Sequence, residues 1–477
     1  MDWIIIGFIL YLIVLIIIGL VTYNANKSHK DYFIGDRQLN PLLIALSERT
    51  AGESAWLILA LPGAALSVGL VEIWTVLGCI FGIIAYWYII AEDLRIQSEK
   101  NDSITLPSFF SEKLNDEGKI IKIVSTLIII FFFTIYLSAQ FVGAGITLET
   151  TFNIENKIGV LIGASVIIFY TMSGGFLAVV WTDLFQGIIM IGTLIILPAV
   201  GFIYLAQNNI EFLSIADITS NHLFQLTGGK TGWASIAVII GGLSWGFGYF
   251  GQPHLVTKFM AIKNPEQIKI GRRIAFSWAI PAFIGAFLIG LIGLSVFGMD
   301  FFKNTNVEKV MPLLAIKLLP AWISGILICG AIAAMMSTAD SLLLVLVSAV
   351  IEDIYHKTLG INIPEKKLLQ MSRLITLIIG IFAIIIAFTS KELIFHLVSY
   401  AWSGLGSSFG PALILILKWK KVTKNGILVG MIVGALSTVL WQSVPDLNNA
   451  ISVRFISFFL AFCSIIIVSK FDKKQNL

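Results

Sequence analysis

Charged residues are scarce in this chain: they make up 13% of its 477 residues, whereas 57% are hydrophobic. A soluble protein of this length needs much more charge to cover its surface. Long hydrophilic stretches are missing too, since the largest predicted loops, 93–120 and 207–231, are too short to fold as separate sensor or catalytic domains. These absences exclude a soluble enzyme and predict an integral membrane protein.

Groups that bind transition metals, nucleic acids or nucleotides are equally sparse. The three cysteines and five histidines show no metal-ligand spacing, and the net charge is only +4. The sequence therefore predicts neither a transition-metal site nor a nucleic-acid partner. A phosphate-binding loop of the form G-x-x-x-x-G-K-[ST] is also absent, which excludes an ATP-driven pump.

Apolar blocks of about 18–25 residues fill most of the chain, and this is the length that crosses a hydrocarbon core of ~30 Å. The first block, 3–21, has no basic residue ahead of it and no small-residue cleavage site behind it, so we expect a membrane helix and not a signal peptide. The pattern predicts an all-α protein with about thirteen transmembrane helices, near 3–23, 42–68, 74–92, 121–148, 157–173, 178–206, 232–254, 274–298, 321–346, 370–389, 393–418, 425–443 and 452–470.

The basic residues indicate which side of the membrane each loop faces. Of the 32 lysines and arginines, 24 lie in the tail and the alternate loops that begin after the first helix, Lys258 among them. The opposite face has 7, and Arg49 lies inside a helix. Because short cytoplasmic loops carry an excess of basic residues, the N-terminus is predicted outside and the C-terminus in the cytoplasm.

Two of the predicted helices are interrupted in the middle. The second contains Ser-Glu-Arg-Thr-Ala-Gly-Glu-Ser at 47–54, and the seventh contains three glycines and Pro253 within 246–253. Unwound backbone at membrane depth is tolerated where it lines a cavity, and paired interruptions in two halves of a chain indicate the binding site of a secondary transporter. Close helix packing is the alternative reason for the glycines.

Each interrupted helix begins a run of five helices, which predicts a five-plus-five inverted repeat. The predicted organisation is an accessory helix and cytoplasmic loop at 1–41, the first repeat at 42–206, an extracellular loop at 207–231, the second repeat at 232–418, and two accessory helices with a cytoplasmic tail at 419–477.

Ionisable residues lie within these apolar segments, where a carboxylate costs roughly 2.5–3.5 kcal/mol on insertion scales and marks function by default. Glu48, Arg49 and Glu53 lie in the first interruption, and Asp183 begins the sixth helix. Arg49 and Glu53 are four residues apart, so they either neutralise each other or contact a substrate.

The ninth helix carries Asp340 between hydroxyl residues. If 337–341 is helical, Ser337, Asp340 and Ser341 share one face, and Thr338 is rotated towards the second helix. Two hydroxyls and a carboxylate are hard oxygen ligands that suit an alkali cation. The alternative is that Asp340 pairs with Arg49 and only braces the helices.

At these residues the sequence resembles the sodium:solute symporter family, and within it the bacterial sodium/proline symporters. The stretch from Trp245 to His254 is specific to the proline branch, and the stretch from Gly174 to Asp183 is specific to the wider family. The matching stretches are Asp31 to Gly35 with Arg37, Leu61 to Gly63, Thr134 to Tyr136, Gly174 to Asp183, Trp245 to His254 and Ser399 to Gly404.

The resemblance implies a leucine-transporter-like fold that works by alternating access in a bacterial-type plasma membrane. It implies one sodium site formed by backbone carbonyls near Thr50 and Glu53 with the hydroxyls of Ser337 and Thr338. In some relatives a second sodium site lies deeper, and its counterparts here are Asp183, Ser337, Asp340 and Ser341. The implied proline pocket draws on Ser54, Trp56, Tyr136, Trp245, Tyr249 and Pro253.

One position departs from the proline symporters. They carry an aspartate two residues before the serine that aligns with Ser54, and this chain has Gly52 there. The aligned position of Asp340 usually holds a small hydroxyl residue. We infer that Glu53 or Asp340 supplies the missing charge.

The sequence thus predicts sodium-coupled import of a small organic solute across a lipid bilayer, with proline as the leading substrate and no prediction of oligomeric state. Within transport, the alternatives are another amino acid or small carboxylate, with Arg49 holding the acid group, and a proton as the coupling ion. A membrane-embedded enzyme would need a catalytic or metal-binding constellation, and none appears in the sequence. A channel would need a continuous pore in place of the paired interrupted helices.

Overall fold

The computed structural model describes residues 2–23, 35–172, 175–213, 222–361 and 364–472. Within these ranges the chain is helical and forms no β-strand. Two parts of the quoted motifs, residues 31–34 and Gly174, lie outside the described residues.

Nineteen helices carry labels below, and the interrupted segments between them are described separately. In chain order they are α1 (Asp2–Tyr23), α2 (Pro41–Ala55), α3 (Leu61–Val68), α4 (Ile73–Ile89), α5 (Ala91–Lys100), α6 (Leu106–Lys113), α7 (Ile120–Phe152), α8 (Asn156–Thr171), α9 (Phe176–Gln207), α10 (Gly232–Leu243), α11 (Pro253–Met260), α12 (Ile268–Phe297), α13 (Val310–Leu318), α14 (Ala321–Ser348), α15 (Glu365–Thr389), α16 (Ile394–Lys418), α17 (Lys424–Ser443), α18 (Pro445–Ala450) and α19 (Val453–Phe471).

Ten helical stretches within the described residues are long and apolar enough to cross a membrane. Two more apolar helices, Trp3–Gly19 and Asn156–Thr171, are shorter. The second and third predicted helices join in one helical stretch, Pro41–Lys100, which lowers the count of separate spans. The all-α membrane architecture is confirmed, whereas the count of thirteen is not.

The first predicted interruption is present at the end of α2. Ser54 has φ 49° and ψ −172°, a left-handed conformation that stops the helical ladder. The freed N–H of Ala55 donates to Oε1 of Gln140 on α7 at 3.0 Å, and the N–H of Trp56 donates to Oγ of Ser54 at 3.1 Å. A π-helical turn, Trp56–Ala60, then leads into α3.

The second predicted interruption separates α10 from α11. One helical turn, Trp245–Gly248, and a 3₁₀ turn, Tyr249–Gly251, end at Gln252, which is extended with φ −83° and ψ 106°. Pro253 then occupies the first turn of α11, where its missing N–H costs nothing. Both interruptions therefore lie where the sequence places them.

The seventh helix continues further than predicted, and this changes the position of one lysine. Hydropathy ends the helix at 254, but α11 runs to Met260 and Lys258 is 2% exposed. The assignment of Lys258 to a cytoplasmic loop is wrong. Hydropathy assigns a lysine to water because it does not register the buried partner that makes burial possible.

The centre of the molecule is formed by α14 and α16. The most apolar window of the α14 stretch is 89% buried and that of α16 is 83% buried, against 33% for α17 and α19. The hydroxyl and carboxylate residues at 337–341 therefore lie on the most enclosed helix, away from lipid.

A seam of glycines joins α4 to the segment before the second interruption. A Cβ added to Gly82 would lie 2.4 Å from Cα of Gly246, and one added to Gly246 would lie 2.3 Å from the carbonyl oxygen of Gly78. Only glycine fits at such distances, so the glycines of this seam bring two backbones into direct contact.

Outside the membrane spans, Glu308 caps the start of α16. Its two carboxylate oxygens accept the backbone N–H groups of Ile394 and Phe395, each at 3.0 Å. Burial raises the pKa of Glu308 to about 7, and the two N–H groups only partly offset this. The cap ties the short connection before α13 to a helix of the core.

Candidate cation and substrate site

The charged residues of the first interruption form one closed network. Nη1 of Arg49 donates to Oε1 of Glu53 at 2.8 Å, and Nε donates to Oε2 of Glu48 at 2.7 Å. Nη2 of Arg49 contacts Glu48 and the hydroxyl of Tyr86. All three charged side chains are 0% exposed. Since Nε and both Nη groups are engaged, this arrangement gives Arg49 an internal role and does not favour its holding a substrate acid group.

The predicted substrate residues converge between the two interruptions. The rings of Trp56 and Trp245 have centroids 4.5 Å apart, and the Tyr249 hydroxyl donates to Oε2 of Glu53 at 3.3 Å. Pro253 begins the helix that follows. All of the predicted pocket residues are buried, and together they line a closed aromatic compartment. These residues are Ser54, Trp56, Tyr136, Trp245, Tyr249 and Pro253.

Trp402 of α16 links the two sides of this compartment. Its ring lies edge-on to Tyr249 with centroids 4.8 Å apart and edge-on to Tyr136 at 6.4 Å. Its Nε1 donates to the carbonyl oxygen of Trp245 at 3.0 Å. Trp402 lies in one of the motifs that match the family, but the sequence analysis gave it no role, because hydropathy does not show which face of α16 is central.

The first predicted sodium site lies where α2, α9 and α14 meet. Oγ1 of Thr338 donates to the carbonyl oxygen of Ala51 at 2.9 Å, so Thr338 faces the interrupted helix. Oγ1 of Thr50 donates to the carbonyl oxygen of Asp183 at 3.1 Å, and Oγ of Ser337 donates to Oδ1 of Asp183 at 2.5 Å. Hydroxyl and carbonyl oxygens therefore lie close together where these three helices cross.

Asp340 faces a different neighbour. Its Oδ1 accepts from the hydroxyl of Thr171 at the end of α8. Its Oδ2, and Oγ of Ser341, are buried and have no hydrogen-bond partner among the described residues. The alternative that pairs Asp340 with Arg49 is not the arrangement found. Unpartnered hard oxygens at a buried carboxylate fit an alkali cation.

Asp183 is paired with Lys258, which sequence reasoning did not assign to the site. Nζ of Lys258 donates to Oδ2 of Asp183 at 2.9 Å, and both contact Ser47. The one available signal was the position of Lys258 five residues after Pro253, within reach of a helix that restarts there.

These residues lie within a stretch that matches a known family over most of the chain. The family model described as "Sodium:solute symporter family" matches residues 32–434. The chain belongs to the sodium:solute symporter family. This symporter is therefore a transporter and not an enzyme, and it spans the membrane several times.

Curated relatives match this symporter along most of their length. The "High-affinity proline transporter PutP" of Bacillus subtilis is 38% identical over 90% of this chain and 90% of the relative. The "Sodium/proline symporter" of Escherichia coli is 36% identical over 91% of this chain and 87% of the relative.

Solved structures show the same fold. A Na⁺-coupled sialic acid symporter in a substrate-bound, outward-open state has a TM-score of 0.79 and 16% identity, covering 100% of this symporter and 99% of that chain. MhsT in complex with L-phenylalanine has a TM-score of 0.55 and 16% identity, covering 90% and 98%. The predicted leucine-transporter-like fold is confirmed.

Proposed function

We propose that this symporter couples the inward movement of sodium to import of a small zwitterionic solute, with L-proline as the leading substrate. Two of its relatives carry proline in their names, at 36–38% identity. The observation in this chain that supports the proposal is a closed aromatic compartment between two interrupted helices, directly beside a crossing of hydroxyl, carbonyl and carboxylate oxygens.

The compartment suits a compact apolar ring with a polar head. The faces of Trp56, Trp245 and Tyr249 enclose apolar surface, while the interrupted backbone near Ser54 offers polar groups in a place where a continuous helix would have none. Glu53 adds a carboxylate next to the Tyr249 hydroxyl, and a secondary ammonium group is a fitting partner for it. A substrate with an amine is favoured over a simple carboxylic acid.

Sodium is the proposed coupling ion, held by residues of α2, α9 and α14. The proposed ligands are backbone carbonyls near Thr50 and Glu53, the side chains of Ser337 and Thr338, and, at the deeper position, oxygens of Asp183, Asp340 and Ser341. Oδ2 of Asp340 supports this assignment, because it is buried without a hydrogen-bond partner in the described part of the chain, and such a carboxylate oxygen gains most from a bound cation.

Transport is proposed to follow alternating access across a bacterial plasma membrane. The N-terminus is assigned to the outside and the C-terminus to the cytoplasm, from the distribution of basic residues. The two repeats proposed at 42–206 and 232–418 would each contribute one interrupted helix to the shared site.

One uptake experiment tests the proposal. Purified protein in liposomes is given radiolabelled proline and a panel of other amino acids, sugars and carboxylates, with either a sodium gradient or choline in place of sodium. We expect proline uptake that requires sodium. Equal uptake in choline driven by a pH step would support the proton alternative, and uptake of a sugar but not proline would overturn the substrate assignment.

A further inference from the structure

Lys258 is buried in the interior of the protein with all three donors of its ammonium group in use. Its Nζ donates to Oδ2 of Asp183 at 2.9 Å, to the carbonyl oxygen of Ser47 at 2.9 Å and to Oγ of Ser47 at 2.7 Å. An ammonium group has three donors, and three acceptors surround this one. Lys258 is 2% exposed and Asp183 is 0% exposed, so water does not screen the pair.

Both carboxylate oxygens of Asp183 already accept hydrogen bonds from internal donors. Its Oδ2 accepts from Lys258 and from Oγ of Ser47 at 2.5 Å, and its Oδ1 accepts from Oγ of Ser337 at 2.5 Å. Every partner of this carboxylate is a donor, and one of them carries a full positive charge. A sodium ion ligated by Asp183 would have to displace or approach that ammonium group at close range in a medium of low dielectric.

Asp340 and Ser341 differ from Asp183 in this respect. Oδ2 of Asp340 and Oγ of Ser341 are buried without hydrogen-bond partners among the described residues. A small cavity borders Ser341 and Lys258. The four residues expected to form a second sodium site are therefore divided: Asp183 accepts from internal donors, Ser337 among them, and Asp340 and Ser341 retain open oxygens.

We propose that Lys258 is a tethered cation that occupies the Asp183 position in place of a second sodium ion, which removes Asp183 from the sodium ligands proposed above. Asp183 and Lys258 cancel in charge, so the carboxylate of Asp340 is the one uncompensated negative charge of the four residues, and it balances the single sodium ion. The symporter then binds one exchangeable sodium ion for each solute. This inference rests on the proposed function, since it concerns how many sodium ions accompany the solute.

A purely structural role for the pair makes a different prediction. If Lys258 only braces α11 against α2 and α9, neutralising it lowers stability and leaves the number of bound sodium ions unchanged. If it is a tethered cation, neutralising it exposes the Asp183 carboxylate to sodium and adds a binding site.

The test is the stoichiometry of radioactive sodium binding to the purified full-length protein, with thermal melting and size exclusion to confirm folding. We expect one sodium ion per chain in the parent and in Lys258→Arg, which keeps the charge. Lys258→Met should bind two, with sodium stabilising it more steeply than the parent. The double variant Lys258→Met with Asp183→Asn should return to one, because it removes the exposed carboxylate.

Two sodium ions per parent chain would overturn the inference, as would a folded Lys258→Met variant that still binds one. If Lys258→Met does not fold, the sodium count of Lys258→Gln, which also removes the positive charge, decides in its place. A parent that binds no sodium would instead contradict the proposed function, so the two failures are distinguishable.

Discussion

At the scale of single residues, Asp340 is the side chain whose change should affect the ion most directly. Asp340→Asn keeps the shape and the acceptor for Thr171 but removes the negative charge that a cation would balance. We expect the sodium concentration for half-maximal transport to rise at least tenfold, about 1.4 kcal/mol, in uptake titrations. Titrations that overlay those of the parent, with a lowered melting temperature at all sodium concentrations, would assign Asp340 a bracing role only.

Trp245 is the corresponding residue for the substrate. It contacts Trp56 on one side and Phe395 on the other, and it is 1% exposed. Trp245→Ala should weaken proline binding by about 1–3 kcal/mol, the cost of losing a central aromatic contact, as measured by equilibrium binding. Trp233→Ala is the matched control, because Trp233 is 60% exposed and should not alter binding. Equal losses in both variants would argue against a pocket role for Trp245.

Sequence reasoning identified the buried charges correctly as unusual but could pair only those that lie close together in the chain. The i, i+4 spacing of Arg49 and Glu53 predicted one contact that the structure contains. The partners of Asp183 and Asp340 lie 75 and 169 residues away, on other helices, and no local pattern contains that information. Lys258 was placed in water for the same reason.

At the scale of helices, both interruptions were predictable because glycine, proline and charge lower helix stability locally. The exact backbone conformation of the first interruption was not predictable. The left-handed turn falls on Ser54, which has a Cβ, while the neighbouring Gly52 stays helical. Gln140 accepts the freed N–H of Ala55 from another helix, so tertiary contacts and not local propensity fix the turn.

The cap of α16 is an element-scale feature that should depend on pH. Burial raises the pKa of Glu308 to about 7 from its usual 4.5, so protonation favours the folded, buried state, and that contribution is present below about pH 4.5 and is lost as pH rises from there through 7. We expect the amides of Ile394 and Phe395 to lose protection from hydrogen exchange, after correction for intrinsic rates, between about pH 5 and pH 7. Glu308→Gln should remove this dependence, and an unchanged dependence in that variant would implicate another group.

At the scale of the whole molecule, the number of coupled ions sets the limit of accumulation. One charge moving through ~100 mV yields ~2.3 kcal/mol, and a tenfold sodium gradient adds ~1.4 kcal/mol. Their sum, ~3.7 kcal/mol, supports roughly 500-fold accumulation with one sodium ion. Proteoliposomes under these gradients should reach a plateau near that ratio for proline. A plateau several hundred times higher would require a second ion.

The fold class and the presence of two interrupted helices could be predicted from the sequence, because both follow from the length of the apolar segments and from the places where they are interrupted. The number of spans could not, because Pro41–Lys100 is one continuous helical stretch whose bends hydropathy does not resolve. The centrality of α14 over α17 was also hidden, since both are apolar and differ only in what surrounds them.

The glycine seam between α4 and the segment around Gly246 restricts how the transporter can change shape. Side chains can change rotamer to let two helices slide, but here Gly78 and Gly82 present bare backbone to Gly246, and backbone cannot yield in this way. We therefore expect a displacement of the segment that carries Trp245 to take α4 with it. The separation of these two segments is thus expected to stay the same throughout the transport cycle.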